Sequence, residues 1–174
     1  MDMANSCAII GCSPLCFPWG FDEEYESCAA LKLLLLSRIT KLRSDGCLLF
    51  HVSMDCGAGL YATEAINRLQ ESDKEIALVC YVPYEEQATK WTPDLRDRYF
   101  NALSKCKKVE TIAFQKEVGC EFKAHLAAML KADNVIALFS PDNPLCEREI
   151  SVITVAETLG KRVLLIDPEK TRFY

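Results

Sequence analysis

Short apolar runs alternate along this chain with longer segments whose apolar residues recur at helical spacing. The short runs are rich in Val, Ile and Leu and end near Gly, Pro or charged residues, which is typical of buried strands. The predicted strands are 7–11, 47–53, 75–83 (ended by Pro83), 108–114, 134–140 and 161–167.

The intervening segments predict amphipathic helices. Gly46 and Gly160 are predicted helix stops, and Thr92 is a predicted N-cap with Pro93 at the first helical position. The predicted apolar stripes are Cys28, Leu31, Leu35, Ile39 and Leu42; Ala62, Ala65, Ile66 and Leu69; Phe122, Leu126, Met129 and Leu130; and Val152, Val155, Ala156 and Leu159.

Strand and helix alternate without an internal repeat, which predicts right-handed crossovers and a mostly parallel sheet with helices on both faces. We therefore expect one domain over residues 1–174, a Rossmann-like three-layer α/β/α sandwich. In such sheets ligands bind beyond the carboxyl ends of the strands, where the strand order reverses. The loops at those ends are 11–20, 53–60, 83–92, 115–121 and 140–148.

The composition is typical of a globular domain and argues against nucleic acid as a partner. Of 174 residues, 50% are apolar and 26% charged, with a net charge of -5 and no basic run, so nucleic-acid binding is not expected. The start of the chain lacks the pattern of a signal peptide, and LKLLLLSRI is too short and too charged to span a bilayer. We expect a cytoplasmic protein with reduced thiols and no membrane association.

The ten cysteines do not form a zinc-finger pattern. Cys12 and Cys16 are one close pair, but no second pair has the required spacing, and His51 and His125 are the two histidines. Cys7, Cys47 and Cys80 lie in apolar strands and Cys28 lies on a helix face, where cysteine acts as a small hydrophobic residue. No metal site and no cofactor are predicted.

The segment HVSMDCGAG, residues 51–59, leads from a strand into a helix start. One interpretation is that backbone N–H groups at the helix start bind an anion. The carboxylate of Asp55 would compete for those groups by capping the helix itself. The alternative is a tight turn in which Gly57 and Gly59 take positive φ.

Several blocks resemble a known family. GCSPLCFPWGFDE, SMDCGAGLYATEA, YVPYEEQATKW and RDRYFNAL follow, in order, the blocks of the YpsA-like proteins, a bacterial branch of the SLOG superfamily. The resemblance covers nearly the whole chain. It implies a Rossmann-like fold and a nucleotide or nucleotide-derived ligand at the strand tips.

The sequence departs from the family pattern in four ligand loops. Cys12 and Ser13 replace a His-Arg pair, Ser53 and Gly59 replace a Gly and an Asp, and Ala124-His125 replaces Arg-Asn. Glu147-Arg148-Glu149 stands where Gly-Gly-Thr is expected. The resemblance thus implies a modified site with a weaker phosphate cradle.

The candidate ligand contacts come from these loops and from the family blocks. An aromatic residue or an amide there could stack on a base or bond to it, and Arg148 could pair with an anion. The predicted ligand-binding residues are Gly11, Cys12, Ser13, Pro14, Trp19, Ser53, Gly57, Gly59, Glu64, Gln87, Trp91 and Arg148.

Catalytic chemistry is less defined. Glu64 and Asp55 are candidate acids or bases, whereas His51 and His125 are interpreted as core residues, and Phe17 as packing. No Ser-His-Asp order, P-loop lysine or metal pair can be assembled from the sequence.

The sequence therefore leaves three functions open. The first is a binding protein for a small nucleotide-like ligand, with homo-oligomerisation left open. The second is a hydrolase or transferase at an N-glycosidic bond, and the third is a ligand-free scaffold for protein contacts.

Overall fold

A six-stranded, all-parallel sheet forms the centre of the protein, whose computed structural model describes residues 5–172. The spatial order of the strands is β4-β3-β2-β1-β5-β6. The strands are β1 (Ser6–Gly11), β2 (Leu49–Ser53), β3 (Ala77–Tyr84), β4 (Lys108–Ala113), β5 (Asn134–Leu138) and β6 (Arg162–Ile166). The predicted domain bounds, 1–174, extend past the described residues at both ends.

Five α-helices connect the strands. They are α1 (Glu26–Ser44), α2 (Ala58–Gln70), α3 (Pro93–Leu103), α4 (Cys120–Leu130) and α5 (Glu147–Thr158). Helix α2 contacts both α1 and α3, while α4 contacts α5. Because crossovers between parallel strands are right-handed, these two groups cover opposite faces of the sheet. The predicted Rossmann-like sandwich is confirmed.

Each predicted strand and each predicted helix is present, with shifts at the ends. The predicted end of β3 at Pro83 is wrong, because the strand continues to Tyr84 beside β4. Pairing of β3 with β2 stops at Tyr81, so the missing N–H of Pro83 removes no ladder hydrogen bond on that side.

The buried face of α4 differs from the predicted stripe. Leu130 is 51% exposed, while Ala124, His125 and Ala128 are buried beside Met129. Helix α4 packs against the central strands, where small alanine side chains allow close approach. The polar His125 is therefore directed to the interior, where its bonding partners decide its role.

The strand order reverses between β1 and β5, which are neighbours in the sheet although they are far apart in sequence. The amide of Cys12 donates to the carbonyl of Leu138 (3.0 Å) and joins the ends of the two strands. A Cβ on Gly11 would lie 2.4 Å from Ala58 Cβ, so glycine lets the start of α2 rest on this junction. In open parallel sheets, the loops that leave such a junction diverge, and ligands commonly bind between them.

No helix within residues 5–172 is long and apolar enough to cross a membrane.

Candidate functional site

The start of α2 is occupied by a side chain of the same loop. Asp55 Oδ1 accepts hydrogen bonds from the amides of Gly57 (2.8 Å) and Gly59 (2.9 Å), which confirms that its carboxylate competes for the helix N–H groups. Burial raises the pKa of Asp55 to about 6, against the lowering effect of these two bonds. The position that would hold a phosphate already carries an internal anion.

Both glycines of this loop are required because a side chain at either position would clash with the backbone. The expected positive φ is wrong for both: Gly57 has φ -114°, and Gly59 is absent from the glycines with positive φ. A Cβ on Gly59 would lie 2.3 Å from the carbonyl oxygen of Ser53, and one on Gly57 would lie 2.8 Å from that of Cys12. Backbone segments approach too closely here for any side chain.

A buried chain of hydrogen bonds connects β2, α4 and α5. His125 Nδ1 lies 2.5 Å from Ser53 Oγ, and His125 Nε2 lies 3.1 Å from Glu149 Oε1. Burial raises the pKa of Glu149, but the bond and the charge of His125 outweigh this and hold that pKa below its ordinary value. The ionised Glu149 only accepts, so His125 Nε2 donates to it, and the other ring nitrogen shares a hydrogen bond with the Ser53 hydroxyl.

This arrangement adds partners that the sequence did not indicate. No Ser-His-Asp order was predicted, and the structure joins Ser53, His125 and Glu149 by hydrogen bonds. His125 is a buried residue bonded at both nitrogens, as interpreted from its helix face. The sequence missed its partners, which lie 72 and 24 positions away.

Arg148 lies at the rim of the same site. Its Nε is 3.4 Å from Glu149 Oε1 and its Nη1 is 4.0 Å from Glu121 Oε2. The side chain is 38% exposed, so the guanidinium is held by two carboxylates while one side faces solvent. The structure thus brings Ser53, Asp55, His125, Arg148 and Glu149 to the carboxyl ends of the strands, a group called the strand-tip site below.

Cys12 lies beneath this site together with two other cysteines. The sulfur atoms of Cys12, Cys16 and Cys146 all lie within 4.8 Å of one another, and all three residues are buried. Sequence spacing indicated the first two but not Cys146, which arrives from the loop after β5. Gly11 and Pro14 are buried beside them, and Ser13 is partly exposed.

Glu64 lies in a different part of the protein. Its carboxylate oxygens accept from Arg98 Nη2 (2.6 Å) and Nε (3.2 Å), and Arg98 also bonds Glu23. These groups line a cleft of about 460 Å³ bordered by residues of α1, α2 and α3, and none of the strand-tip residues lines it. The structure gives Glu64 the role of an ion-pair partner.

Gln87 and Trp91 border the loop after β3. The Gln87 amide donates to the Met54 carbonyl (3.3 Å) and to Tyr99 Oη (3.2 Å), which ties this loop to the one after β2. Trp91 is partly exposed and meets Tyr99 edge-on, with ring centroids 5.1 Å apart. The Gln87 amide nitrogen is therefore used inside the protein, while part of the Trp91 ring remains open.

Trp19 is buried in an aromatic stack. Its ring lies 5.0 Å from Phe17, which in turn stacks on Tyr61 at 5.5 Å. The indole Nε1 donates to Tyr61 Oη (3.2 Å). The packing role expected for Phe17 is confirmed, and Trp19 shares it.

Comparison with known proteins gives matches over most of the chain. The model of the YpsA family, described as the YspA SLOG family, matches residues 9–161. A UPF0398 protein of Bacillus pumilus (strain SAFR-032) is 26% identical over 125 residues, which cover 71% of this chain and 67% of that protein. A UPF0398 protein of Bacillus cereus (strain G9842) is 26% identical over 126 residues, which cover 71% of this chain and 68% of that protein.

Proposed function

This protein belongs to the YspA SLOG family, and we propose that it binds a nucleotide-derived small ligand at the strand-tip site. The observation that carries the proposal is the position of Asp55. This carboxylate, whose pKa is raised to about 6, belongs to a partly exposed residue beside the reversal of strand order between β1 and β5. Ionisable groups with shifted pKa values at such a crevice are typical of functional sites.

The chemistry of the site favours the nucleoside part of a ligand over its phosphates. Asp55 already accepts the α2 amides, and Glu147-Arg148-Glu149 brings two carboxylates to the start of α5. Carboxylates accept hydrogen bonds from ribose hydroxyls or from the exocyclic amine of a base. The open part of the Trp91 ring is available for stacking, and Arg148 is the cation at the rim.

All ten cysteines are free thiols, which suits the reducing cytoplasm in which we place the protein.

Thermal unfolding tests the proposal. Nucleosides, nucleotides, NAD and ADP-ribose are added singly, and a ligand at a hundred times its Kd adds about 2.7 kcal/mol to the free energy of unfolding. We expect the melting temperature to rise with nucleosides at least as much as with their phosphates. No response to any of these compounds would contradict the proposal and favour the scaffold function.

Two carboxylate-to-amide variants locate the site. Asp55→Asn is expected to abolish the shift, because Asn lacks the charge and one acceptor. Glu64→Gln makes the same chemical change in the α1–α2–α3 cleft and is expected to keep the shift. Loss of the response in Glu64→Gln alone would move the site to that cleft.

A second function is favoured by the pKa of Asp55. A carboxyl group that titrates near pH 6 can act as a general acid or base close to neutral pH, as cleavage of an N-glycosidic bond requires. Chromatography of nucleoside monophosphates incubated with the protein would reveal free base. Release that is lost in Asp55→Asn and kept in Glu64→Gln would support the enzyme, whereas binding without release would support the binding protein.

A further inference from the structure

The same tripeptide, Pro-Leu-Cys, occurs at both sides of the strand-order reversal. Pro14–Cys16 follows β1 and Pro144–Cys146 follows β5, and each forms a 3-10 turn. Each turn exposes its leucine and buries its cysteine, with Cys16 at 6% and Cys146 at 0% exposure. Two equivalent turns therefore direct two thiols into one interior position.

Cys12 completes this cluster from the end of β1. Its amide is bonded to Leu138 at the end of β5, while the amides of Cys16 and Cys146 are bonded to Ser13 (3.0 Å) and Asn143 (3.0 Å). The backbone at all three cysteines is thus fixed by hydrogen bonds. The sulfur atoms are held together by the fold, without a covalent link between the residues.

We propose that Cys12, Cys16 and Cys146 form a binding site for a thiophilic cation, with Zn²⁺ as the first candidate and Cu⁺ as the second. The spacing of the sulfur atoms supports this. Around a tetrahedral zinc ion with Zn–S distances of about 2.3 Å, thiolates lie about 3.8 Å apart. The three sulfur atoms here lie within 4.8 Å of one another, so a small inward movement of the side chains closes the site.

The surroundings of the three cysteines include the carboxylate of Glu149. Cys146 is the N-cap of α5, and Glu149 lies three residues later in the first turn of that helix. Its Oε2 is buried and has no hydrogen-bond partner within residues 5–172. A side-chain movement would bring this oxygen to a zinc ion as the fourth ligand that zinc requires, whereas a three-coordinate copper site would leave it unused.

A bound cation would also explain why three thiols lie together in a position that water does not reach. Bound metal replaces the thiol protons and provides the charge that stabilises thiolates. Outside the cluster, Cys7 and Cys47 donate their S–H groups to the carbonyls of Ala8 and Leu49, as is usual for cysteines in a core.

The metal site shares Glu149 with the strand-tip site, but its test does not depend on the proposed nucleotide-derived ligand. Its test begins with protein that has been reduced, treated with chelator and kept free of oxygen. Cobalt(II) is then added as a probe, since thiolate coordination gives charge-transfer absorption in the near ultraviolet. We expect one equivalent to bind per chain with this absorption, and zinc to displace it. Absence of the band in the wild-type protein would overturn the proposal without any variant.

Variants assign the ligands. Cys16→Ser and Cys146→Ser are expected to abolish the band while circular dichroism shows an intact fold. Glu149→Gln is expected to weaken zinc binding by about 10- to 100-fold, the range for groups that support a metal site. Cys106→Ser is the control, because it disrupts the other close thiol pair, Cys80 and Cys106, whose sulfur atoms are 3.3 Å apart. A band lost in Cys106→Ser and kept in Cys146→Ser would overturn the assignment.

Competition with chelators identifies the cation. Zinc and copper(I) are each titrated against a coloured chelator specific for that ion. Tight uptake of one equivalent of either ion supports the thiophilic site and states which metal it prefers. Weak uptake of both, or rapid formation of a Cys16–Cys146 disulfide that zinc does not prevent, would contradict it.

Discussion

His125 and Glu149 are joined between α4 and α5 by a hydrogen bond of 3.1 Å from Nε2 to Oε1. The other nitrogen of the ring meets Ser53 Oγ at the end of β2. All three residues are buried, so water does not replace a lost partner. The imidazole therefore fixes two helices to the central sheet.

We predict that His125→Ala lowers the free energy of unfolding by about 3–5 kcal/mol, because it leaves the Glu149 carboxylate buried without its partner. Urea unfolding at neutral pH measures the loss. His51→Ala is the control: His51 is also buried, but only its Nδ1 is bonded, to Tyr81 Oη at 2.8 Å. Equal losses in the two variants would show that the hydrogen-bond chain adds nothing.

The raised pKa of Asp55 predicts that the free energy of unfolding depends on pH. Its pKa is raised to about 6 in the folded protein, so between about pH 4 and pH 6 the folded state binds more protons than the unfolded state. The contribution of Asp55 to stability therefore falls as the pH rises through this window. Unfolding of chelator-treated protein is followed from pH 4 to pH 8.

The comparison with Asp55→Asn isolates this group. The wild-type protein is expected to lose stability relative to the variant as the pH rises to 6, and the difference is expected to level off above that pH. Parallel stability curves for the two proteins would mean that Asp55 titrates at its ordinary pKa.

Gly59→Ala is predicted to destabilise the fold by about 1–3 kcal/mol or more, because its Cβ would overlap the backbone of Ser53 and Met54. The control is Gly20→Asn. Gly20 has φ 58° and nothing within 4 Å of its Cβ position, and Asn tolerates that conformation. Thermal unfolding is expected to show the larger loss for Gly59→Ala, and the reverse order would contradict the steric argument.

Arg98→Met is predicted to cost about 1 kcal/mol at neutral pH, since Arg98 joins Glu23 (2.7 Å) and Glu64 (2.6 Å) in a partly exposed cleft. Arg68→Met is the control. Arg68 is 75% exposed and pairs with Glu71 alone, so its cost is expected to stay within about 0.5 kcal/mol.

Acid provides a second measurement on the same pair of variants. Burial raises the pKa of Glu23, but the bonds from Arg98 and Lys32 outweigh this and lower it. The stability that this carboxylate contributes is present above its unfolded pKa and is lost as the pH falls through the lowered folded value. The difference between wild type and Arg98→Met is therefore expected to shrink in acid, and a constant difference would exclude an ionic origin.

The strands and helices were predictable because their apolar periodicities are strong. The runs around Ile9, Val52 and Ile136 are fully buried, and their alternation with helices implies parallel pairing. The face of α4 was not predictable from apolar residues alone. Its alanines pack on the sheet while Leu130 faces solvent, because space beside the strands decides the orientation of this helix.

The strand-tip site was predictable as a position and only partly as a set of residues. The departures from the family pattern indicated Ser53 and Arg148, and the helix-capping argument indicated Asp55. The structure brings these three residues to one end of the sheet. The bond from Ser53 to His125 spans 72 positions, and no local spacing encodes it. For Cys146, the repeated Pro-Leu-Cys is the sequence signal that relates it to Cys16.

The pairing of β1 with β5 also sets the order in which the chain can fold. Ser6 meets Asp133 across 127 positions, so during synthesis the side of β1 that will contact β5 waits for most of the protein to leave the ribosome. Contacts this distant in sequence form slowly. Until then the apolar edge formed by Cys7, Ala8, Ile9 and Ile10 is open to other chains, which makes aggregation a hazard of slow translation.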